Sequence, residues 1–270
     1  MMRRTLPMKS HTRSALFGAF AEAPLALDRA TTGIGQLDAV LDGGFPRNRA
    51  VLVCGAPGTG KTTFAIQFLL EGLARGDLGV FVSAEQSPAR LLEDATRFEW
   101  NLQPAMARGV ITLLDAAPFH AAARGTSGSY ALMDPGQVAG DLVQEIARIG
   151  AKRLVIDSVT SLVPPDLPRG ATHDYLRSLI QTLEDNAGCT TLLTCRGSSL
   201  DPQASCEACR SFASGVIELR LDCRGSEFVR VLRVCKMRGT PVHPSDFRFD
   251  MASGWGLMLA EQPRIDVLAS

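Results

Sequence analysis

The residues from Gly55 to Thr62 read GAPGTGKT and match the pattern G-x-x-x-x-G-K-[ST] at every fixed position. Glycines in this pattern let backbone N–H groups turn toward an anion, and the following helix adds the favourable end of its dipole. Lys61 would reach the β- and γ-phosphates of a nucleotide, and the Thr62 hydroxyl would ligate Mg²⁺. A chance glycine-rich turn is disfavoured, because the motif lies between an apolar run and an amphipathic run. We therefore predict a triphosphate-binding loop made of Gly58, Thr59, Gly60, Lys61, Thr62 and Thr63.

Two carboxylates follow apolar strand patterns elsewhere in the chain. Asp157 ends the run Leu154–Ile156, and a carboxylate in that position commonly faces the Mg²⁺ beside a phosphate-binding loop. Glu85 follows another apolar run, and ligands of open α/β sheets collect at the carboxyl ends of strands. We predict that Asp157 joins Thr62 in a metal site and that Glu85 is a general base. The alternative for Glu85 is a surface glutamate near a helix.

Alternating strands and helices must position these residues. Helical spacing covers Thr62–Arg75, and Ser87-Pro88 marks the start of another helix. After Gly215 the pattern changes to two strand-like runs with no helix between them. The predicted fold class is therefore α/β, with a largely parallel central sheet, helices on both faces and a C-terminal antiparallel hairpin at the sheet edge. The predicted buried strands are Ala50–Cys54, Gly79–Ala84, Leu154–Ile156 and Thr190–Thr194, and the hairpin strands are Val216–Leu221 and Val229–Met237.

Composition narrows the classes of function. The 270 residues include 28 basic and 28 acidic side chains, so the chain lacks the basic surplus that binding of nucleic acid by counterion release requires. No apolar run reaches the length of a membrane helix. Seven cysteines, several within apolar runs, indicate reduced thiols. We expect a cytoplasmic protein with one domain at residues 28–262, a flexible basic arm at 1–27, a surface loop near 116–136 and a flexible tail at 263–270.

Several motifs in order resemble the KaiC-like branch of the RecA-superfamily ATPases, from approximately Arg29 to Leu259. The resemblance implies a RecA-like fold, ATP and Mg²⁺ as cofactors, and ATP hydrolysis coupled to a conformational or signalling output. It also implies a homo-oligomer, with a hexameric ring as the candidate form. The motifs are TGIGQLD at 32–38, GGFP at 43–46, GAPGTGKT at 55–62, FVSAEQSP at 81–88, FEW at 98–100, IDSVTS at 156–161 and KMRGT at 236–240.

The resemblance also implies roles for individual residues. Glu85 matches the family's catalytic glutamate, although Gln86 replaces the second acid of the family's usual pair. Lys236 and Arg238 match residues that reach a neighbouring subunit's ATP, and Met237 and Thr240 belong to the same nucleotide-binding segment. Residues two apart on a strand face one side, so both cations could stabilise charge on a γ-phosphate in trans. The alternative is a pair of solvated edge-strand charges.

Other functions stay open at this stage. An ATP-gated, recombinase-type DNA-binding protein is disfavoured by the neutral charge. A Ser/Thr autokinase of the KaiC type is disfavoured because no Ser-Thr pair lies near Cys209 and Arg210, and the family's histidine after the Lys-x-Arg motif is displaced to His243. A nucleotide-dependent scaffold with little turnover is a further alternative. Cys206 and Cys209 have the spacing of a metal or redox half-site, with Cys189 or Cys195 as added ligands, but ordinary thiols are the simpler prediction.

Overall fold

The computed structural model describes residues 27–116, 134–164, 167–197, 204–224, 227–242 and 245–260. Within them a nine-stranded sheet is flanked by helices, and a separate two-stranded ribbon lies near the start. The ribbon strands are β1 (Arg29–Ala30) and β2 (Phe45–Pro46). The sheet strands are β3 (Ala50–Gly55), β4 (Gly79–Ser83), β5 (Ile111–Asp115), β6 (Arg153–Asp157), β7 (Thr190–Arg196), β8 (Gly215–Arg224), β9 (Glu227–Met237), β10 (Asp246–Ala252) and β11 (Gly256–Leu259).

Helices cover both faces of the sheet, which explains why strands β3, β4 and β6 are buried along their whole length. They are α1 (Gly35–Val40), α2 (Lys61–Ala74), α3 (Pro88–Arg97), α4 (Gln103–Ala107), α5 (Pro135–Ile149), α6 (Arg169–Asn186) and α7 (Ala204–Phe212), with a 3₁₀ turn at Val159–Leu162. One apolar layer includes Phe64 and Phe68 of α2, and the opposite layer includes Leu176 and Leu183 of α6. The predicted α/β class with a largely parallel sheet is confirmed.

The strand order is β11-β10-β9-β8-β3-β7-β6-β4-β5. All neighbours from β8 to β5 are parallel, and the three outer pairs are antiparallel. The predicted hairpin is present as β8 and β9, but its placement at the sheet edge is wrong. Strands β10 and β11 continue the sheet beyond it, because alternating Phe247 and Phe249 bury one face of β10.

Arg153 is a fully buried cation at the first position of β6. Its Nε donates to Asp77 Oδ2 at 2.9 Å, and its Nη1 donates to the carbonyl oxygens of Phe68 at 2.8 Å and Thr31 at 2.6 Å. The guanidinium also lies over the Phe68 ring, 4.5 Å from its centroid. The side chain thus joins α2, the sheet and the segment after β1.

The terminal regions 1–26 and 261–270, most of the predicted 116–136 loop and His243 lie outside the described residues. The arm, tail and loop therefore stay predictions. Among the described helices none is both long and apolar enough to cross a membrane.

Candidate nucleotide-binding site

The loop Gly55–Thr62, called the P-loop below, connects the end of β3 to the start of α2. Gly58 and Gly60 have φ values of 80° and 104°, a region that residues with a side chain rarely adopt. Thr59 is buried, and its hydroxyl donates to the Ala56 carbonyl at 2.8 Å. The glycines therefore allow the turn, and the Thr59 contact holds it.

Lys61 lies over the loop that precedes it. Its Nζ donates to the carbonyl oxygens of Gly55 at 2.9 Å and Ala56 at 3.1 Å. Burial lowers the pKa of Lys61, while the carboxylates of Asp157 and Glu85 favour its charged form. The ammonium is thus placed inside the P-loop, close to two acidic groups.

Asp157 ends β6 and is almost completely buried. Its Oδ2 accepts a 2.7 Å hydrogen bond from the Thr62 hydroxyl, and its Oδ1 accepts a short one from the Thr194 hydroxyl. Strand β7, which carries Thr194, lies between β3 and β6 and bridges the two motifs. Burial raises the pKa of Asp157, and the two hydroxyl donors oppose that rise.

Glu85 lies two residues beyond β4. Because Ser83 at the end of β4 pairs with Asp157 at the end of β6, Glu85 and Asp157 lie beside each other at the carboxyl ends of these parallel strands. Its Oε1 accepts from the Ser158 hydroxyl at 2.8 Å, and its Oε2 lies 3.8 Å from Arg196 Nη2. Ser158 Oγ is also within hydrogen-bond distance of the hydroxyl oxygens of Thr160 and Ser161, at 2.9 and 3.1 Å. The carboxylate is therefore oriented by a hydroxyl cluster and remains more than a third exposed.

Thr194, Ser158 and Arg196 complete the site although the sequence reasoning missed them. A hydroxyl near the end of the apolar run Thr190–Thr194 was the available signal for the first. For Ser158, the signal was the run of hydroxyl residues after Asp157. Arg196 carries no local signal, because its pairing with Glu85 depends on strands separated along the chain.

The residues present fit a magnesium ion bound with a nucleotide. Thr62 and Asp157 offer a hydroxyl and a carboxylate, which are the hard oxygen ligands that Mg²⁺ prefers. The described residues contain no group of three or more His, Cys, Asp or Glu side chains arranged to hold a metal. Mg²⁺ usually keeps waters and phosphate oxygens among its ligands, so two protein oxygen groups can be sufficient to hold it.

The segment 236–240, which includes the last two residues of β9, lies apart from the P-loop. Lys236 Nζ donates to the carbonyls of Arg210 at 3.1 Å and Ser211 at 3.2 Å, in the last turn of α7. Burial lowers the pKa of Lys236, and the nearby charge of Arg238 acts in the same direction. Met237 is packed in the core, and the Thr240 hydroxyl accepts a 2.7 Å hydrogen bond from Arg29 Nη1.

Arg238 follows the strand and has an exposed side chain. Its backbone N–H donates to the Ser214 carbonyl at 2.9 Å. A β-bulge lies near Val216, where Cys235 is an extra residue between two paired positions of β9. This extra residue changes the facing of the strand, so that the Lys236 side chain contacts α7. Lys236 and Arg238 are therefore neighbours in space as well as in sequence, but they have different surroundings.

The site combines a strand, a glycine-rich turn and a helix with an acidic residue at the end of a second strand, and one further strand of the sheet lies between these two strands. This arrangement defines a P-loop nucleotide-binding protein with a RecA-like fold. The family model described as "ATPase: KaiC" matches residues 30–263. The chain belongs to this KaiC ATPase family.

Individual relatives agree with that assignment. A UPF0273 protein from Methanopyrus kandleri is 34% identical over 219 residues, which cover 80% of this chain and 86% of the relative. The circadian clock oscillator protein KaiC from Parathermosynechococcus lividus is 32% identical over 223 residues, covering 82% of this chain but only 40% of that protein. The crystal structure of a KaiC-like protein from Pyrococcus horikoshii OT3 superposes with a TM-score of 0.73 at 28% identity, covering 87% of this chain and all of that one.

Proposed function

We propose that this protein is a homo-oligomeric, Mg²⁺-dependent ATPase in which Glu85 activates water and a neighbouring subunit supplies Lys236 and Arg238. In this proposal the chain forms a ring in the cytoplasm, with a hexamer as the candidate form, and converts hydrolysis into a conformational or signalling output. The observation that supports this proposal is that Lys61, Asp157 and Glu85 lie together at the carboxyl ends of the parallel strands.

The proposed roles follow from the chemistry of each group. The P-loop N–H groups and Lys61 would bind the β- and γ-phosphates, and Thr62 and Asp157 would hold Mg²⁺ or its waters. Bound Mg²⁺ would neutralise developing charge on the phosphate oxygens. Glu85, oriented by Ser158, would accept the proton of the attacking water. Met237 and Thr240 would contact a nucleotide mainly through the backbone, since their side chains have partners within the subunit.

Sheet register supports action in trans. Val51, at the start of β3, pairs with Gly215, and Gly215 pairs with Met237. The P-loop follows Gly55 at the other end of β3, about 13 Å farther along the strand at the usual rise per residue. Lys236 and Arg238 therefore lie near the amino end of β3, whereas their own P-loop follows its carboxyl end. A second copy of the chain could bring them to a triphosphate.

The first experiment separates binding from turnover. Glu85→Gln should bind ATP like the wild type and lose phosphate release, because only the general base is removed. Lys236→Ala and Arg238→Ala should lower turnover per site, and Arg248→Ala, which removes another exposed arginine, should not. A Glu85→Gln protein that hydrolyses at the wild-type rate contradicts the assigned base.

The second experiment mixes two weakly active variants. An assembly of Glu85→Gln with Arg238→Ala subunits contains interfaces in which an intact Glu85 faces an intact Arg238. In a random one-to-one ring these make up about a quarter of all interfaces, so activity should recover toward that fraction of the wild type. Activity equal to the mean of the separate variants contradicts a contribution in trans.

A further inference from the structure

Three buried thiols from three elements meet beneath the P-loop: Cys54 of β3, Cys195 of β7 and Cys206 of α7. Cys195 Sγ lies 2.8 Å from Cys206 Sγ and donates to it. The Cys54 thiol donates to the Ile217 carbonyl at 3.4 Å, and it lies close enough to Cys195 and Cys206 for each to affect its pKa. The seven cysteines of the chain form no disulfide, so these contacts are between free thiols.

A cation lies against this cluster. Arg210 Nη1 is 2.9 Å from Cys54 Sγ, and its Nη2 is 3.7 Å from Cys235 Sγ. The hydrogen bond from Cys195, together with the neighbouring Cys54 thiol and the charge of Arg210, lowers the pKa of Cys206. The hydrogen bond to Cys206 raises the pKa of Cys195. The surroundings thus favour the thiolate form of Cys206 and the neutral thiol form of Cys195, whose sulfur atoms are in direct contact.

We propose that Cys195 and Cys206 are a redox-reversible dithiol pair that peroxide oxidises to an intrachain disulfide. Closing their 2.8 Å separation to the disulfide length of about 2.05 Å requires less than 1 Å of movement. Arg210, which contacts Cys54, and Cys235, which contacts Arg210, are only partly buried, so on that side the cluster is separated from solvent by these side chains.

The oxidation proceeds in two balanced steps. The Cys206 thiolate attacks one oxygen of hydrogen peroxide, so an S–O bond forms, the O–O bond breaks, and the departing hydroxide takes a proton to become water. The Cys195 sulfur then attacks the Cys206 sulfenic acid, the S–S bond forms, and the S–O bond breaks. Hydroxide leaves and takes the Cys195 proton. Two thiols lose two electrons to one peroxide, which yields two waters, and an added dithiol reverses the reaction by exchange.

The position of the pair connects it to the nucleotide site, and this step rests on the proposed function. Cys54 directly precedes Gly55, whose carbonyl binds Lys61, and Cys195 directly precedes Arg196, the partner of Glu85. Helix α7 carries Cys206 near its start and the carbonyl acceptors of Lys236 in its last turn. A Cys195–Cys206 disulfide would tie these parts together and lower ATP turnover.

Peptide mapping of the full chain tests the pair directly. The protein is reduced, freed of reductant, treated with hydrogen peroxide, alkylated and digested with trypsin. Cleavage after Arg177, Arg196 and Arg210 yields one peptide with Cys189 and Cys195 and another with Cys206 and Cys209. We expect these peptides to be linked, with fragmentation spectra that place the bond between Cys195 and Cys206, and dithiothreitol should separate them.

Single variants identify the sulfur atoms. The link should persist in Cys189→Ser and Cys209→Ser and disappear in Cys206→Ser and Cys195→Ala. A bond that uses Cys54 or Cys209 instead overturns the assignment. So does oxidation of the exposed Cys223 while Cys195 and Cys206 are recovered as alkylated thiols.

Thermal unfolding is a second readout that does not depend on the variants or on activity. Because the bond closes a loop and so lowers the conformational entropy of the unfolded chain, oxidation should raise the wild-type Tm by roughly 5–10 °C. No rise despite a mapped bond overturns the geometric fit of the pair. Turnover is measured on the same samples: unchanged turnover in the linked protein overturns the regulatory effect. Reduced protein without any hydrolysis contradicts the proposed function instead.

Discussion

The Thr62 hydroxyl donates a 2.7 Å hydrogen bond to Asp157 Oδ2, although the two residues are 95 positions apart in the chain. This contact joins the first turn of α2 to the end of β6 and places two oxygen ligands side by side. It is the local arrangement on which the proposed magnesium site depends.

Removing that hydroxyl tests the metal site. We expect Thr62→Ala to weaken binding of Mg²⁺-ATP about tenfold or more, because one oxygen ligand is lost and Asp157 loses one of its two hydroxyl donors. Thr62→Ser keeps the hydroxyl and should stay close to the wild type. Isothermal titration with and without Mg²⁺ measures the effect, and equal losses in both conditions would argue against a role at the metal.

A substitution at Ser158 tests whether its hydroxyl orients Glu85 for catalysis. Because its hydroxyl donates to Glu85 Oε1 at 2.8 Å, Ser158→Ala should lower kcat about tenfold and leave ATP affinity unchanged. Thr160→Ala, which removes a hydroxyl that contacts Ser158, should have a smaller effect. Steady-state kinetics and equilibrium binding separate the two quantities. A loss of ATP affinity without a loss of kcat would contradict this role.

A substitution at Arg153 tests how much its buried contacts contribute to the stability of the fold. Arg153→Met removes the cationic donor of two carbonyl oxygens and leaves the Asp77 carboxylate with only the longer 3.5 Å contact to Arg47, so we expect a loss of about 3–5 kcal/mol in the free energy of unfolding. Arg75→Ala breaks the exposed 2.6 Å pair with Glu71 and should change stability little. Urea unfolding of both variants measures the difference, and similar effects would contradict a special role for Arg153.

The ion pairs of Asp246 on β10 should make the stability of the protein depend on pH. Arg233 donates to its carboxylate at 2.6 and 2.8 Å and Arg220 at 3.0 Å, and these contacts lower the pKa of Asp246 below its unfolded value. Its contribution to stability is therefore present above the unfolded pKa and is lost as the pH falls through the folded one.

Asp246→Asn should consequently destabilise the protein at about pH 7, and the difference from the wild type should shrink toward about pH 3. Urea midpoints at the two pH values provide the comparison. An equal difference at both values would mean that ionisation of Asp246 does not contribute.

Much of the fold could be predicted because its signals are local. The apolar run at Ala50–Cys54 became β3, and the helical pattern after it became α2, within one residue at each end. Strand β10 was not predicted, because Phe247 and Phe249 alternate with charged residues but two apolar positions are too few to distinguish a strand from a loop. Strand β5 was missed for a different reason: it is an outermost strand of the sheet, so most of its side chains are only partly buried, and it lacks the uninterrupted apolar run of β4 and β6.

The sequence by itself determined the P-loop, because its glycines, Lys61 and Thr62 act through one contiguous turn. It also identified Asp157 and Glu85 as candidates, since each follows an apolar run. Only the tertiary structure decided that Thr194 and Ser158 support these acids, that Lys236 lies at the opposite end of the strands from the P-loop, and that three distant thiols meet. Those relationships depend on strand order and register, which pair segments far apart in the chain and leave no local pattern.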